Sequence, residues 1–538
     1  MNKEIVIIGG VAGGATAAAR IRRLDEHANI TIFEQGEYIS FANCGLPYYV
    51  GGDIQKKENL LLQTPEGFKR RYNIDVKVLN QAAEIDKENK RVKVKDLSSG
   101  EEYYKEYDVL VLAMGAKPFA IFKEAYTVRN IPDIERVKEK AETAESAVII
   151  GGGYVGLELA ENLYKKGLDI TIIEKAEHII ASIDKDMAEI VRRYLASKGI
   201  KLLLSTGVSA VEGGTVTLEN GETINADLVI SAIGVRPDVE IVKNAGIEIG
   251  SLGGVLVDEY MQTSEKNIYA VGDMVEVTNL VTGDNALIPL ASPANKQARI
   301  AADNICGIKS KYDGTQGTAI IRIFDMAVAS TGAREKLLSS SNIPYLKSYT
   351  HSGSHASYYP GSKQMRIKII WNKENNKLVG AQIVGFEGVD KRIDVLATAI
   401  KFGLTPKDLT ELELSYAPPF SSAKDPVNMA GYVASNIIDG HMKVFYAEDI
   451  EKLNFEEDVL IDVRTKGEYS EGTIEGAVNI PVDELREDRL AEISKDKNIY
   501  IFCQAGLRGY LAERILEQQG FEHVKNLSGG YATYMNLY

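Results

Sequence analysis

The feature that most constrains this chain is a pattern that occurs twice: a β-branched strand, a glycine turn, a helix, and a second strand ending in glutamate. The first copy runs from "EIVIIGGVAGGATAAARIRRL" to "ITIFEQ", the second from "SAVIIGGGYVGLELAENLYKKG" to "ITIIEK". A strand that feeds a helix and returns as a parallel strand is the unit of a doubly wound α/β sheet. A glycine turn at that corner brings backbone N–H groups close to a pyrophosphate. Two copies imply two dinucleotide sites on one chain.

In the second copy Gly151, Gly153 and Gly156 complete a G-x-G-x-x-G turn, and Glu174 follows 18 residues after Gly156 at a strand end. A carboxylate there accepts from ribose hydroxyls and repels the extra phosphate of NADPH, which favours NADH; Lys175 beside it weakens that preference. The first copy carries Gly9, Gly10, Gly13 and Gly14, with Val11 at the usual middle-glycine position. Glu34 lies 20 residues after Gly14, and "IYAVGDM" sets Asp273 after a strand and a glycine.

A chain of 538 residues is too long for one core and suggests three or four domains. The net charge of −14 argues against a general nucleic-acid binder, while leaving local basic clusters free to hold phosphorylated small molecules. No apolar run approaches the roughly 20 residues of a membrane helix, and "MNKEIVIIGG" lacks the layout of a signal peptide. Three dispersed cysteines, Cys44, Cys306 and Cys503, make no disulfide framework. The chain reads as cytoplasmic, with reduced thiols, and no metal site is expected. From about residue 321, "IRIFDMAVASTG" and "QMRIKIIWNKENNKLVGAQIVG" read as strands of a mixed sheet, and a new α/β unit begins near residue 446.

Together with "LVLAMGAKP" and "LVISAIGVRPD", these motifs resemble the two-dinucleotide flavoprotein disulfide reductases over residues 1 to about 440. The resemblance implies an α/β fold with two Rossmann-like domains. An FAD-binding domain would span 1–115 and 245–320, using Gly9, Gly10, Gly14, Glu34 and Asp273, and an NAD(P)H-binding domain 116–244, using Gly151, Gly153, Gly156 and Glu174. An α+β dimerisation domain over 321–440 would make the protein a homodimer.

Most such reductases carry a pair of cysteines, yet Cys44 in "SFANCGLPYYVGG" has no neighbouring partner. A solitary cysteine leaves two chemistries: a sulfenic acid, as in NADH peroxidases and oxidases, or a mixed disulfide with a small thiol. Pro47 is compatible with a helix N-terminus that would stabilise a thiolate. "SFANCG" resembles an element of the coenzyme A disulfide reductases, and Ala12 stands where the peroxidases carry a histidine. "HASYYPG" and "LSYAPPF" resemble two tyrosine elements of the same family, which implies that Tyr358 and Tyr416, with Tyr359 as alternative to Tyr358, assist a departing thiolate from the other subunit. Thr16, Arg20 and Arg23 share a helix face by spacing, and "FKRRY" adds a second basic cluster. The resemblance implies coenzyme A contacts at Thr16, Arg20, Arg23, Ser40 and Asn43, with Lys69 or Arg71 as a phosphate clamp. It also implies a flavin contact at Phe420 and a substrate contact at Asn428.

The last unit, 446–538, resembles a single-domain rhodanese. "CQAGLR" follows an apolar strand and precedes a helix, so loop N–H groups can converge on Cys503 and hold an anionic persulfide, with Arg508 adding charge. Asp462 and Arg464 in "DVR" brace that loop, and Cys306 is inert. The whole resembles the coenzyme A disulfide reductase–rhodanese fusions. What that implies is an FAD- and NAD(P)H-dependent enzyme reducing coenzyme A persulfide, polysulfide or coenzyme A disulfide through Cys44, with Cys503 as sulfur carrier. The alternatives are an NADH oxidase or peroxidase cycling Cys44 through a sulfenic acid, and a redox-sensing sulfur carrier.

Overall fold

The computed structural model describes residues 2–486 and 493–537. The chain divides into two compact units: one holds the residues up to Ile179 together with Gly199–Gly317, the other Ile180–Lys198 and Thr318 onward.

In the first unit, strands in the order Ile268–Ala270, Val109–Leu112, Glu4–Ile8, Asn29–Phe33, Asp75–Lys77 form one parallel sheet. A second parallel sheet has the order Lys201–Leu203, Asp169–Ile173, Ser146–Ile150, Leu228–Ser231. The central strands are apolar and buried at nearly every position, because crossover helices cover both faces. In each copy the first helix starts right after the glycine turn, at Ala12–Leu24 and Tyr154–Lys165.

In the second unit a five-stranded sheet has the order Ala319–Ile323, Met326–Gly332, Leu378–Gly385, Gln364–Asn372, Tyr345–Gly353. All its ladders are antiparallel, not mixed as the sequence suggested. Short connections decide this: only Phe324 and Asp325 separate the first two strands, too few residues for a parallel crossover. The helix Lys185–Ser197 also belongs to this unit. The fully buried Lys368 ammonium lies 2.8 Å from Asp184 and 3.0 Å from Asp186 at its start, and 2.5 Å from Glu335. These three carboxylates are close enough together to suit a metal ion, but Lys368 ion-pairs with all of them.

A smaller parallel sheet follows, in the order Val444–Phe445, Val524–Leu527, Asn498–Phe502, Asp458–Asp462, Val478–Asn479. Lys347 of the antiparallel sheet pairs with Glu448 at 2.6 Å, and the Tyr446 hydroxyl donates to the Lys347 carbonyl at 2.9 Å, tying the two sheets together. Among the described residues no helix is long and apolar enough to cross a membrane.

Candidate active site: two nucleotide turns and two sulfur loops

The two nucleotide turns are built alike. Gly9 and Gly151 both adopt positive φ, at 97° and 111°, and their N–H groups donate to Phe33 and Ile173 carbonyls at 2.8 Å each. A Cβ on Gly14 would lie 1.8 Å from the Gly9 carbonyl oxygen, and one on Gly156 would lie 2.1 Å from that of Gly151, so only glycine lets helix and strand approach this closely. Glu34 accepts from Gly10 N–H and Gly36 N–H, both at 2.9 Å; Glu174 accepts from Gly152 N–H and Ala176 N–H, both at 2.7 Å. Each carboxylate is thus clamped at its strand end beside the turn.

The first turn opens on a cleft lined by Gly9, Gly10, Glu34, Asn43, Arg129 and Asp273, among others. The Cβ-free cradle beside the strand-end carboxylate suits a dinucleotide. Burial pushes the Asp273 carboxyl up, against the opposing pull of Arg129. Arg129 has a less obvious sequence signal: in "RNIPD" the side chain of Asn130 caps the helix Ile131–Ala141, with Pro at its second position, which fixes Arg129 just ahead of the cap and against Gly115.

Cys44 lies in a single helical turn, Asn43–Gly45, immediately before the helix Leu46–Gly51, and is exposed. Its N–H donates to Asn43 Oδ1 at 3.1 Å. Ser40, four residues earlier, holds φ 48°, a left-handed conformation rare for serine, and its N–H bonds to the Gly10 carbonyl at 2.8 Å. That strained corner joins the cysteine turn to the first glycine turn. The expectation of a thiolate stabilised by a helix N-terminus is corrected. The helix has only six residues, and packing around the sulfur, with the charges of Glu158 and Asp273, pushes the thiol up.

The basic residues separate. Thr16 donates to Asn295 at 2.6 Å and Arg20 pairs with Asp303 at 2.7 Å, so both face the helix Ala291–Ile305; Arg23 and Arg71 are exposed, and Lys69 pairs with Asp75 at 2.8 Å. Between them Arg22 is buried, donating to five backbone carbonyls, those of Asp25, Glu26, Ala28, Tyr72 and Asn73.

In the second unit the Tyr358 and Tyr416 hydroxyls meet at 2.6 Å, both residues exposed, while Tyr359 packs edge-on against His355. Their loops are held from behind by Arg392, only 1% exposed, which bonds to Asp425 (3.0 Å), Ser421 Oγ and the Ser354 and Phe420 carbonyls. Phe420 itself is 71% exposed. Asn428 is buried, its amide donating to the Leu409 and Leu412 carbonyls at 2.8 and 3.0 Å. No sequence motif flagged Arg392: its partner lies 33 positions away.

Cys503 directly follows the strand Asn498–Phe502 and is 2% exposed. Gly506 N–H donates to its Sγ at 3.1 Å, from a φ of 113° that glycine alone tolerates well. The Cys503 and Gln504 carbonyls accept from Tyr531 N–H (2.8 Å) and Ala532 N–H (2.9 Å). The Asp462–Arg464 brace is present: Arg464 pairs with Asp462 at 2.7 Å and reaches Gln504 Oε1 at 3.3 Å. Arg508 is not a free charge beside the sulfur. It forms a fork to both oxygens of Glu468 at 2.7 Å, which holds that carboxyl down at about 2. Cys306, half-buried at a helix end, has its thiol pushed up by burial.

Paired nucleotide turns beside a solitary exposed cysteine, joined to a persulfide-type loop, define a two-dinucleotide sulfur oxidoreductase with an appended sulfurtransferase fold. The chain belongs to the pyridine nucleotide-disulphide oxidoreductase family, whose model matches residues 3–298, followed by the family's dimerisation domain at 318–426 and a rhodanese-like domain at 446–537. It is 35% identical over 441 residues to the coenzyme A disulfide reductase of Staphylococcus haemolyticus, covering 81% of this chain and all of that one. Among solved structures it is similar to reduced CoADR-RHD of Bacillus anthracis (47% identity, TM-score 0.97, 100% of this chain and 98% of that one). It is also similar to a NAD-dependent persulfide reductase from A. fulgidus (39% identity, TM-score 0.92, 99% of this chain and 100% of that one).

Proposed function

We propose that this protein is an FAD-dependent NAD(P)H oxidoreductase that reduces coenzyme A persulfide, polysulfide or coenzyme A disulfide through Cys44, with Cys503 carrying sulfur. The observation that carries the reading is that the exposed Cys44 stands beside the nucleotide cleft with no second thiol in its turn, which suits a redox partner that arrives with the substrate. The relatives named for coenzyme A disulfide and persulfide reduction supply the substrate class.

Gly9, Gly10, Gly14, Glu34 and Asp273 would hold FAD and the second turn a nicotinamide nucleotide, which together would supply the two electrons needed to reduce a sulfur–sulfur bond. The chain's own residues do the rest. Cys44 Sγ, as thiolate, attacks the sulfur attached to coenzyme A; an S–S bond forms to Cys44 while the substrate's own S–S bond breaks. The departing thiolate or hydrosulfide needs a proton, and the Tyr358–Tyr416 pair is a hydroxyl donor of the right kind. Exposure of Tyr358, Tyr416 and Phe420 supports a homodimer in which this face meets the Cys44 turn of a second copy. Cys503 takes sulfane sulfur as a persulfide, with Gly506 N–H donating to the sulfur it attaches to.

The test is mass spectrometry of the isolated protein, denatured without reductant, beside Cys44→Ser. An adduct of coenzyme A mass on Cys44, lost on reduction and absent from the variant, is the expected result. Oxygen adducts alone on Cys44 would overturn the reading in favour of peroxide chemistry.

A further inference from the structure

Asn526 lies in the strand Val524–Leu527, level with Val444 and Ile501 of the strands on either side, and is 2% exposed. A polar amide inside a parallel sheet is out of place unless it is paired. Its Nδ2 donates to the Gly506 carbonyl at 3.1 Å and meets Met442 Sδ at 3.6 Å. Its Oδ1 is buried and bonds to no group among the described residues. The backbone around it is fixed as well. Asn526 N–H donates to the Lys443 carbonyl at 2.8 Å, and Lys443 N–H donates to the buried Glu513 at 2.5 Å. Glu513 belongs to the helix Leu507–Gln518, which starts right after Gly506, so the start of that helix is clipped to the sheet at two points.

Gly509, in the first turn of the same helix, makes room for this. A Cβ there would lie 2.1 Å from Asn526 Oδ1, so the amide reaches Gly506 only because residue 509 has no side chain. Gly506 is the residue whose N–H meets Cys503 Sγ at 3.1 Å, from a φ of 113°. Its carbonyl has two partners, Tyr510 N–H at 2.9 Å within the helix and Asn526 from the sheet. The first bond fixes how the helix begins. The second ties the glycine sideways to the sheet, limits rotation between the two peptides it joins, and so aims the N–H. An unpaired buried Oδ1 costs free energy that an apolar side chain of the same size would avoid. What the amide gives in return is that aim.

We propose that Asn526 is a positioning residue for the Cys503 sulfur: through Gly506 it keeps a backbone N–H directed at the sulfur that carries charge as a thiolate and bears the added sulfur as a persulfide. The relay is two bonds of 3.1 Å, from Asn526 Nδ2 to Gly506 O and from Gly506 N to Cys503 Sγ. No proton moves along it. The amide holds a donor in place before charge arrives, so that no reorientation is needed when it does. Gly509 is the space the relay requires.

The inference rests on Cys503 carrying sulfur, and its test reads that function and the relay separately. Full-length, FAD-loaded protein is assayed for sulfur transfer from thiosulfate to cyanide, and sulfur bound on Cys503 is read by mass spectrometry. NADH-driven coenzyme A disulfide reduction in the same preparation is the internal control. Asn526→Ala and Gly509→Ala should each lower kcat for transfer by about tenfold, less than the loss of a donor outright, with KM for thiosulfate changed by less than about twofold. Alanine is the better helix former, so Gly509→Ala should not lose activity by unfolding. Both changes break the same bond, so the double variant should be no slower than Asn526→Ala alone. A purely structural role would instead lower both activities together. An unchanged kcat in Asn526→Ala, additive losses in the double variant, or an equal loss of NADH-driven turnover each overturns the proposal. Wild-type protein that takes up no sulfur on Cys503 would overturn the carrier reading itself, and this inference with it.

Discussion

Cys44 and Cys503 are the two sulfurs to which the proposed function assigns the chemistry, and their surroundings differ almost point for point. Cys503 is buried, its loop pinned by backbone bonds from 531–532 and by an arginine that also grips its own carboxylate. Cys44 is exposed, on a single turn, with acidic groups as its electrostatic neighbours. One thiol is enclosed within its own domain and the other is open at the surface. A sulfur that stores a persulfide needs a closed cradle, and a sulfur that changes partner on each turnover needs access.

The sharpest break is genetic. Cys44→Ser should lower NADH-driven coenzyme A disulfide reduction by about 10³-fold or more, while Cys503 still takes sulfur from thiosulfate; Cys503→Ser should give the mirror image. Two separate assays on each variant check this, and loss of both activities in either one would erase the distinction. Next in size, Arg464→Met leaves Asp462 buried and unpaired, at a cost of about 3–5 kcal/mol in a denaturation experiment, and should abolish sulfur transfer without touching the alkylation of Cys44. Replacing Tyr358 and Tyr416 together by Phe should cost about 10²-fold in kcat for disulfide reduction, the usual effect of removing a donor to developing charge, and nothing at Cys503.

The smallest effect concerns pH. His351 Nε2 bonds to Thr533 Oγ1 at 3.0 Å, just beyond the residues that pin the Cys503 loop. Burial, then the charge of Arg366, pushes that imidazole from 6.5 down to about 4. An unfolded chain therefore takes up this proton near pH 6.5 and the folded one does not. The stabilisation is whole above pH 6.5 and falls as pH drops toward 4, and the part lost between pH 7 and pH 5 is about 2 kcal/mol. Denaturant titrations at pH 7 and pH 5 should show this slope in wild type and a flatter one in His351→Gln.

Much of this site is legible in the sequence because its determinants are short-range. Glu34 and Glu174 each follow a strand that pairs with the strand before the turn, so spacing along the chain places the carboxylate. The Cys503 loop is contiguous, and its Asp462–Arg464 brace sits on the adjacent strand. What stays hidden is long-range and polar. Glu158 meets Tyr48 across 110 positions, and Arg20 meets Asp303 across 283. Arg22, Arg392 and Asp425 carry no motif, and nothing local shows that tertiary packing buries them. The antiparallel order of the middle sheet is hidden for a related reason: strand direction follows from how short the connections are, and strand composition does not show it.

The clamped glutamates have a consequence for redesign. Nicotinamide preference is commonly altered by exchanging the acidic residue at the end of the second strand for a neutral or basic one. Here Glu174 also terminates two main-chain donors, from Gly152 and Ala176. A single exchange would strip the turn of both acceptors while changing the charge, so the turn would slacken as the new phosphate arrived. A successful variant therefore has to supply a substitute acceptor, from a serine or an asparagine in the 175–178 segment, together with the new cation. Changing the charge at Glu174 and loosening the turn are one event in this protein.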